Sequence, residues 1–158
     1  MASLFRSLAA LILIILSGCG QFGKTPPAVE PWYPTVNENG DPVFAVFESR
    51  IPCADCQKIK FALALYRDPK TKAPTTYKLA RVYVARSPED RMVNEGHWMI
   101  KHGTRLNPQA TVYQLDANAP SEFRWFWAIG EDILFILDQD LNPRVGTAGY
   151  GYALNKIR

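Results

Sequence analysis

Cys53 and Cys56 stand in the run Ile51-Pro52-Cys53-Ala54-Asp55-Cys56, with two residues between the thiols. At that spacing two sulfurs can meet as a disulfide closing a small ring, or as two thiolates on one soft metal ion such as Cu(I) or Zn(II). Spacing alone does not choose between them. Two thiolates are fewer ligands than a closed metal site needs, so further donors would have to come from elsewhere. His97, Met99, Met92 and His102 are the candidate additional ligands, the other imidazole and thioether side chains of the region expected to fold. Nothing in the sequence brings them to the cysteine loop, and the alternation of Trp98 with Met99 puts one of the two in the core. Dithiol redox catalysis would need an activated thiolate, which Lys58 and Lys60 favour and Asp55 opposes, and the βαβ units of a thioredoxin-like fold are missing. No Ser-His-Asp set, paired-carboxylate motif or phosphate-binding glycine loop can be defended. The protein is expected not to be an enzyme.

The third cysteine has a different setting. Arg6 is followed by an apolar run from Leu8 to Leu16 and by the small residues Ser17 and Gly18, the order of an export signal. The run is about half the roughly 20 residues that cross a bilayer as a helix, so a permanent spanning anchor is the weaker reading. Leu16-Ser17-Gly18-Cys19 resembles the lipobox of bacterial lipoproteins, and the resemblance implies cleavage before Cys19 and a diacylglycerol on its sulfur. Membrane attachment through this N-terminal lipid follows. Gly20, rather than aspartate, comes next, which favours the outer membrane, with the chain facing the periplasm. In such an oxidising compartment two nearby cysteines usually pair.

Removing residues 1–18 from 158 leaves 140, a size for one domain. Without Arg6 the mature chain carries 17 basic against 15 acidic side chains, with no basic run longer than a pair, so nucleic acid is excluded as a partner. From Cys19 to Pro42 five prolines and few aliphatic residues read as a lipidated, extended tether. Residues 43–158 change to short aromatic and β-branched runs bounded by turn formers. Strands are expected over Val43–Phe47, Ile59–Tyr66, Tyr77–Ala85, His97–Lys101, Ala110–Leu115, Glu122–Ile129, Asp132–Leu137 and Tyr150–Leu154. Ile59, Phe61, Leu63 and Leu65 fall on one side of the second of these and Lys60 on the other. Ser87–Asn94 reads as a loop with one helical turn. Alternation places Phe123, Trp125 and Trp127 on one face, with Arg124 and Phe126 on the other, and Gly149 and Gly151 suggest a bend where the last strand closes. Crossover helices are absent, so the expected fold is all-β: an antiparallel up-and-down barrel of about eight strands.

Beyond the cysteine motif, the alternating Phe61-Ala62-Leu63-Ala64-Leu65-Tyr66-Arg67-Asp68, the later Tyr77-Lys78-Leu79, Gly96-His97-Trp98, and Ile136-Leu137-Asp138 with Asn142-Pro143 can be set beside known families. From about Val43 to Leu154 the chain resembles the N-terminal domain of the NlpE family, envelope lipoproteins associated with copper resistance and stress signalling. Lys58 departs from the glycine usual at its position. The resemblance implies a lipocalin-like barrel, and a role in copper homeostasis or envelope-stress sensing with a copper ion and an envelope signalling protein as partners. Two alternatives stand beside it. One is a lipocalin-type carrier of a lipid or small apolar ligand, the other a purely structural or interaction lipoprotein braced by a disulfide.

Overall fold

The computed structural model describes residues 32–84, 90–146 and 151–158. The leader, Cys19, Gly149 and Tyr150 lie outside the described residues. Eight strands form the wall: β1 (Val43–Ile51), β2 (Lys58–Arg67), β3 (Pro74–Val84), β4 (Asp90–His102), β5 (Thr111–Leu115), β6 (Trp125–Ile129), β7 (Ile133–Ile136) and β8 (Ala153–Lys156). Each pairs antiparallel with the next, and β1 pairs with β8 through Phe47–Lys156 and Glu48–Asn155, so the barrel is closed in sequence order.

Alternation sets the inside. Phe47 and Ile51 of β1, Phe61, Leu63 and Leu65 of β2, Tyr77 and Leu79 of β3, and Trp98 of β4 enter one buried cluster. Phe126, Leu134 and Leu154 complete it from the far wall. These large side chains fill the middle of the barrel, and the Trp98 indole N–H donates to the Tyr66 carbonyl at 2.8 Å, so the buried ring keeps its polar atom satisfied.

Three elements differ from the sequence expectation. Asp90–Asn94, read as part of a loop, begins β4, because Asp90, Arg91, Met92, Val93 and Asn94 pair in register with Tyr83, Val82, Arg81, Ala80 and Leu79. Edge pairing with a long neighbour here overrides the polar composition. Phe123 does not share a face with Trp125 and Trp127: it ends a 3₁₀ turn, Ser121–Phe123, and turns inward to meet Phe61 at 5.1 Å between ring centres. Phe126 also faces inward, while Trp125 and Trp127 are half-buried. Residues 32–42, expected to belong to the tether, pack on the outer face. Tyr33 joins Val46, Ala64 and Tyr66 in a second buried cluster, and the Tyr66 hydroxyl donates to the Pro34 carbonyl at 2.9 Å. Asn37 turns the segment, its side-chain oxygen accepting from the Asn39 and Asp41 amides, with Gly40 at φ +86°.

β4 is much longer than β5. Its pairing with β5 covers only Trp98–His102, so Asp90–Gly96 has a ladder partner on the β3 side alone. The loop from Asp116 to Arg124 crosses this gap. Asn94 donates to the Asn118 carbonyl at 2.9 Å and Asn118 to the Glu95 carbonyl at 3.1 Å.

Candidate functional site

The β1–β2 hairpin places the cysteines at one rim of the barrel. Ile51 pairs with Ile59, both buried, and the chain between them bulges outward as Pro52–Lys58. The Gln57 amide donates to the Val84 carbonyl at 3.1 Å and ties the base of this loop to β3. Cys53 and Cys56 form a disulfide with Cα atoms 5.3 Å apart. Both are half-buried and rest on the core cluster, whereas Asp55 points to solvent. An Asp55 carboxylate oxygen lies 3.5 Å from the Cys53 sulfur and the Lys58 carbonyl 3.4 Å from the Cys56 sulfur. A disulfide sulfur carries no proton, so these are close contacts rather than donated hydrogen bonds.

Cys53, Asp55 and Cys56 form a group whose ligand atoms lie within 4.8 Å of one another. Whether a soft metal fits depends on the state of the sulfurs. Joined as a disulfide they offer no thiolate; reduced, the same two atoms supply a soft S₂ set, with a carboxylate alongside.

The candidate additional ligands are not gathered there. Val84 stands level with the cysteine loop, whereas His97 pairs with Thr76, eight residues back along β3. At roughly 3.3 Å per residue that is about 26 Å along the strand. Met99 and His102 are further still along β4, paired with Gln114 and Thr111. Met99 is exposed while Trp98 is buried, so of that pair it is the tryptophan that enters the core. His97 is held elsewhere, its Nδ1 3.8 Å from Asp116. Met92 is nearer the cysteines but its sulfur faces Arg81, at 3.9 Å from Nη2.

The same rim carries a cationic and aromatic set that the sequence reading passed over. Arg81 projects inward from β3 and is 5% exposed. Its Nη2 donates to the Asn94 side-chain oxygen at 2.8 Å and its Nη1 reaches the Tyr83 hydroxyl at 3.4 Å, while Nε has no partner among the described residues. The Phe123 ring lies near two guanidinium groups, 5.5 Å from that of Arg81 and 5.9 Å from that of Arg144, and Arg144 also lies 4.6 Å from the Tyr152 ring. An arginine in the middle of an apolar, alternating strand was the available signal. Two grooves run along the outside of the wall. One, of about 620 Å³, is bordered by Trp32, Arg50, Lys60, Val82 and Arg91; the other, of about 340 Å³, by Asn37, Tyr66, Lys78 and His97.

A family model described as the NlpE N-terminal domain matches residues 47–147, well over half of the chain. Comparison with curated proteins finds no match. Among solved structures, a Shewanella oneidensis chain described as a lipoprotein aligns with a TM-score of 0.46 and 21% identity, over 71% of this chain and 86% of that one.

Proposed function

We propose that this chain, which belongs to the NlpE family by that match, is a non-enzymatic, lipid-anchored protein of the outer membrane that responds to copper or surface stress through Cys53 and Cys56. The observation that carries the reading is the placement of the pair: two joined sulfurs on an accessible rim loop, with a carboxylate within 4.8 Å. Reduction of the disulfide by a dithiol takes up two electrons and two protons and leaves two thiols. Loss of those protons on metal binding would let Cys53 and Cys56 hold one Cu(I) between them, so capture strengthens as pH rises. Lys58 and the Gln57–Val84 bond anchor the loop ends, so opening the disulfide alters the rim and leaves the packed barrel in place. The lipid on Cys19 supplies the attachment, and Gly20 directs it to the outer membrane.

The reading is tested by complementation in a strain lacking the chain. Wild-type protein should restore growth under copper stress, while Cys53→Ser/Cys56→Ser and Cys19→Ser should both fail, the second also leaving the membrane fraction. Full rescue by the double serine variant would remove the sensing role from this pair.

A further inference from the structure

The interior arginine has no place in that reading. Arg81 is 5% exposed, stands on the inward face of β3, and among the described residues no carboxylate pairs with it. Its neighbours among the described residues are neutral: the Asn94 amide oxygen, the Tyr83 hydroxyl, the Met92 thioether and the Phe123 ring. A guanidinium stays charged at any physiological pH, so withdrawal from water is compensated only by what surrounds it. One amide oxygen, one long hydroxyl contact and a ring face are a thin shell for five N–H donors. Among the described residues the buried Nε–H has no acceptor, and one Nη2 contact is to a sulfur at 3.9 Å, a weak acceptor.

We propose that Arg81 is the floor of a binding site for a small oxyanion group, a carboxylate or a phosphate, entered through the side of the barrel between β4 and β5. Three features support it besides the arginine. β4 has no strand partner over Asp90–Gly96 on that side, so the wall there is a loop held by two asparagine bonds rather than a ladder. Met92, which covers the guanidinium, is 40% exposed, and an unbranched thioether can swing out without breaking a hydrogen bond of consequence. The Arg144 guanidinium, 5.9 Å from the Phe123 ring centre, brings a second positive charge to the same aromatic group. An oxyanion replacing the Met92 sulfur would accept from Nη2–H and from the now idle Nε–H, two charge-assisted bonds in the fork geometry that arginine favours. The packed middle of the barrel leaves no place for a long chain beneath the guanidinium, so an attached tail would lie outside along the wall.

The test uses the full-length chain in a non-ionic detergent. Melting temperature is followed against sodium acetate, sodium phosphate and dihexanoyl phosphatidic acid, each compared with sodium chloride at equal ionic strength. Binding to the folded state gives a saturable rise. The expected result is such a rise in wild type with at least one of these anions, weakened about tenfold in apparent affinity by Arg81→Lys, which keeps the charge and loses the fork, and abolished by Arg81→Met. Saturation by the phosphatidic acid alone assigns the group to a lipid headgroup; saturation by acetate or phosphate assigns it to a free anion. Should Arg81→Met fail to fold, the Arg81 Nε–H resonance in ¹⁵N-resolved spectra of wild type decides, because it must shift with the same saturation curve. No saturable rise with any of the three, an undiminished rise in Arg81→Met, or a stationary Nε–H resonance overturns the site.

Discussion

Asp116 shows how much one exposed-looking carboxylate can hold. Its oxygens accept from the His97 amide at 2.7 Å, the Tyr77 hydroxyl at 3.2 Å and the Asn118 amide at 3.1 Å, joining β3, β4 and the loop after β5. Burial and the neighbouring Asp116 charge drive the Tyr77 hydroxyl far above its ordinary range, so it remains the donor at any working pH. Gly96 makes the arrangement possible. A Cβ there would meet both Asp116 oxygens, one of them at 2.6 Å, and would push the carboxylate off its donors. Hydrogen bonds to a charged acceptor contribute about 1.5–3 kcal/mol each, so Gly96→Ala should destabilise the protein by about 2–4 kcal/mol. Urea unfolding checks this, together with Gly96→Ala/Asp116→Ala, whose cost should be less than the sum of the single changes. Additive costs would mean that the glycine acts through something other than this carboxylate. Register on the sheet, His97 pairing with Thr76, is what keeps its imidazole from the cysteines, a fact that residue type and spacing could not convey.

At the scale of elements, the alternating strands were the most legible feature. Ile59, Phe61, Leu63 and Leu65 do face inward and Lys60 outward, because an unbroken period of two over a long strand leaves one workable register. The polar start of β4 and the inward turn of Phe123 were not legible, since each depends on a partner distant in sequence: β3 in one case, Phe61 and Arg81 in the other. The segment before β1 was hidden for a similar reason. Proline-rich composition describes how a chain behaves alone, and Tyr33 and Trp32 find their partners only once β1 and β2 are paired. Tyr66 is the link, its hydroxyl pKa pushed up from 10.0 to about 12 chiefly by burial. A pKa higher in the folded state means that folding favours the protonated phenol. That stability is whole below pH 10 and is lost as pH rises through about 12. Tyr66→Phe should therefore cost about 1 kcal/mol at neutral pH, through the bond to Pro34, and should flatten the decline of stability between those limits. Denaturant unfolding from pH 7 to 12 reads both; an unchanged alkaline slope would show that another group dominates it.

For the molecule as a whole, closure of the barrel is what sorts the candidate ligands. Eight residues of β3 separate the level of the cysteine loop from that of His97, so the cysteine pair occupies one rim and His97, Met99 and His102 lie toward the other. Any copper chemistry at Cys53 and Cys56 must rest on those two sulfurs, with Asp55 beside them, and on their reduction. The fold class was within reach of the sequence, and the cysteine spacing left disulfide and metal site both open, whereas this separation required the register of the whole sheet. The central claim is thus that the reduced pair alone captures Cu(I). Its most direct test is a competition titration with a chromophoric Cu(I) chelator under anaerobic reducing conditions, comparing wild type with Cys53→Ser/Cys56→Ser and with His97→Ala/His102→Ala. One equivalent bound by wild type and by the histidine variant, with none bound by the double serine variant, is the predicted result. Equal copper uptake by the serine variant, or its loss in the histidine variant, would contradict the account.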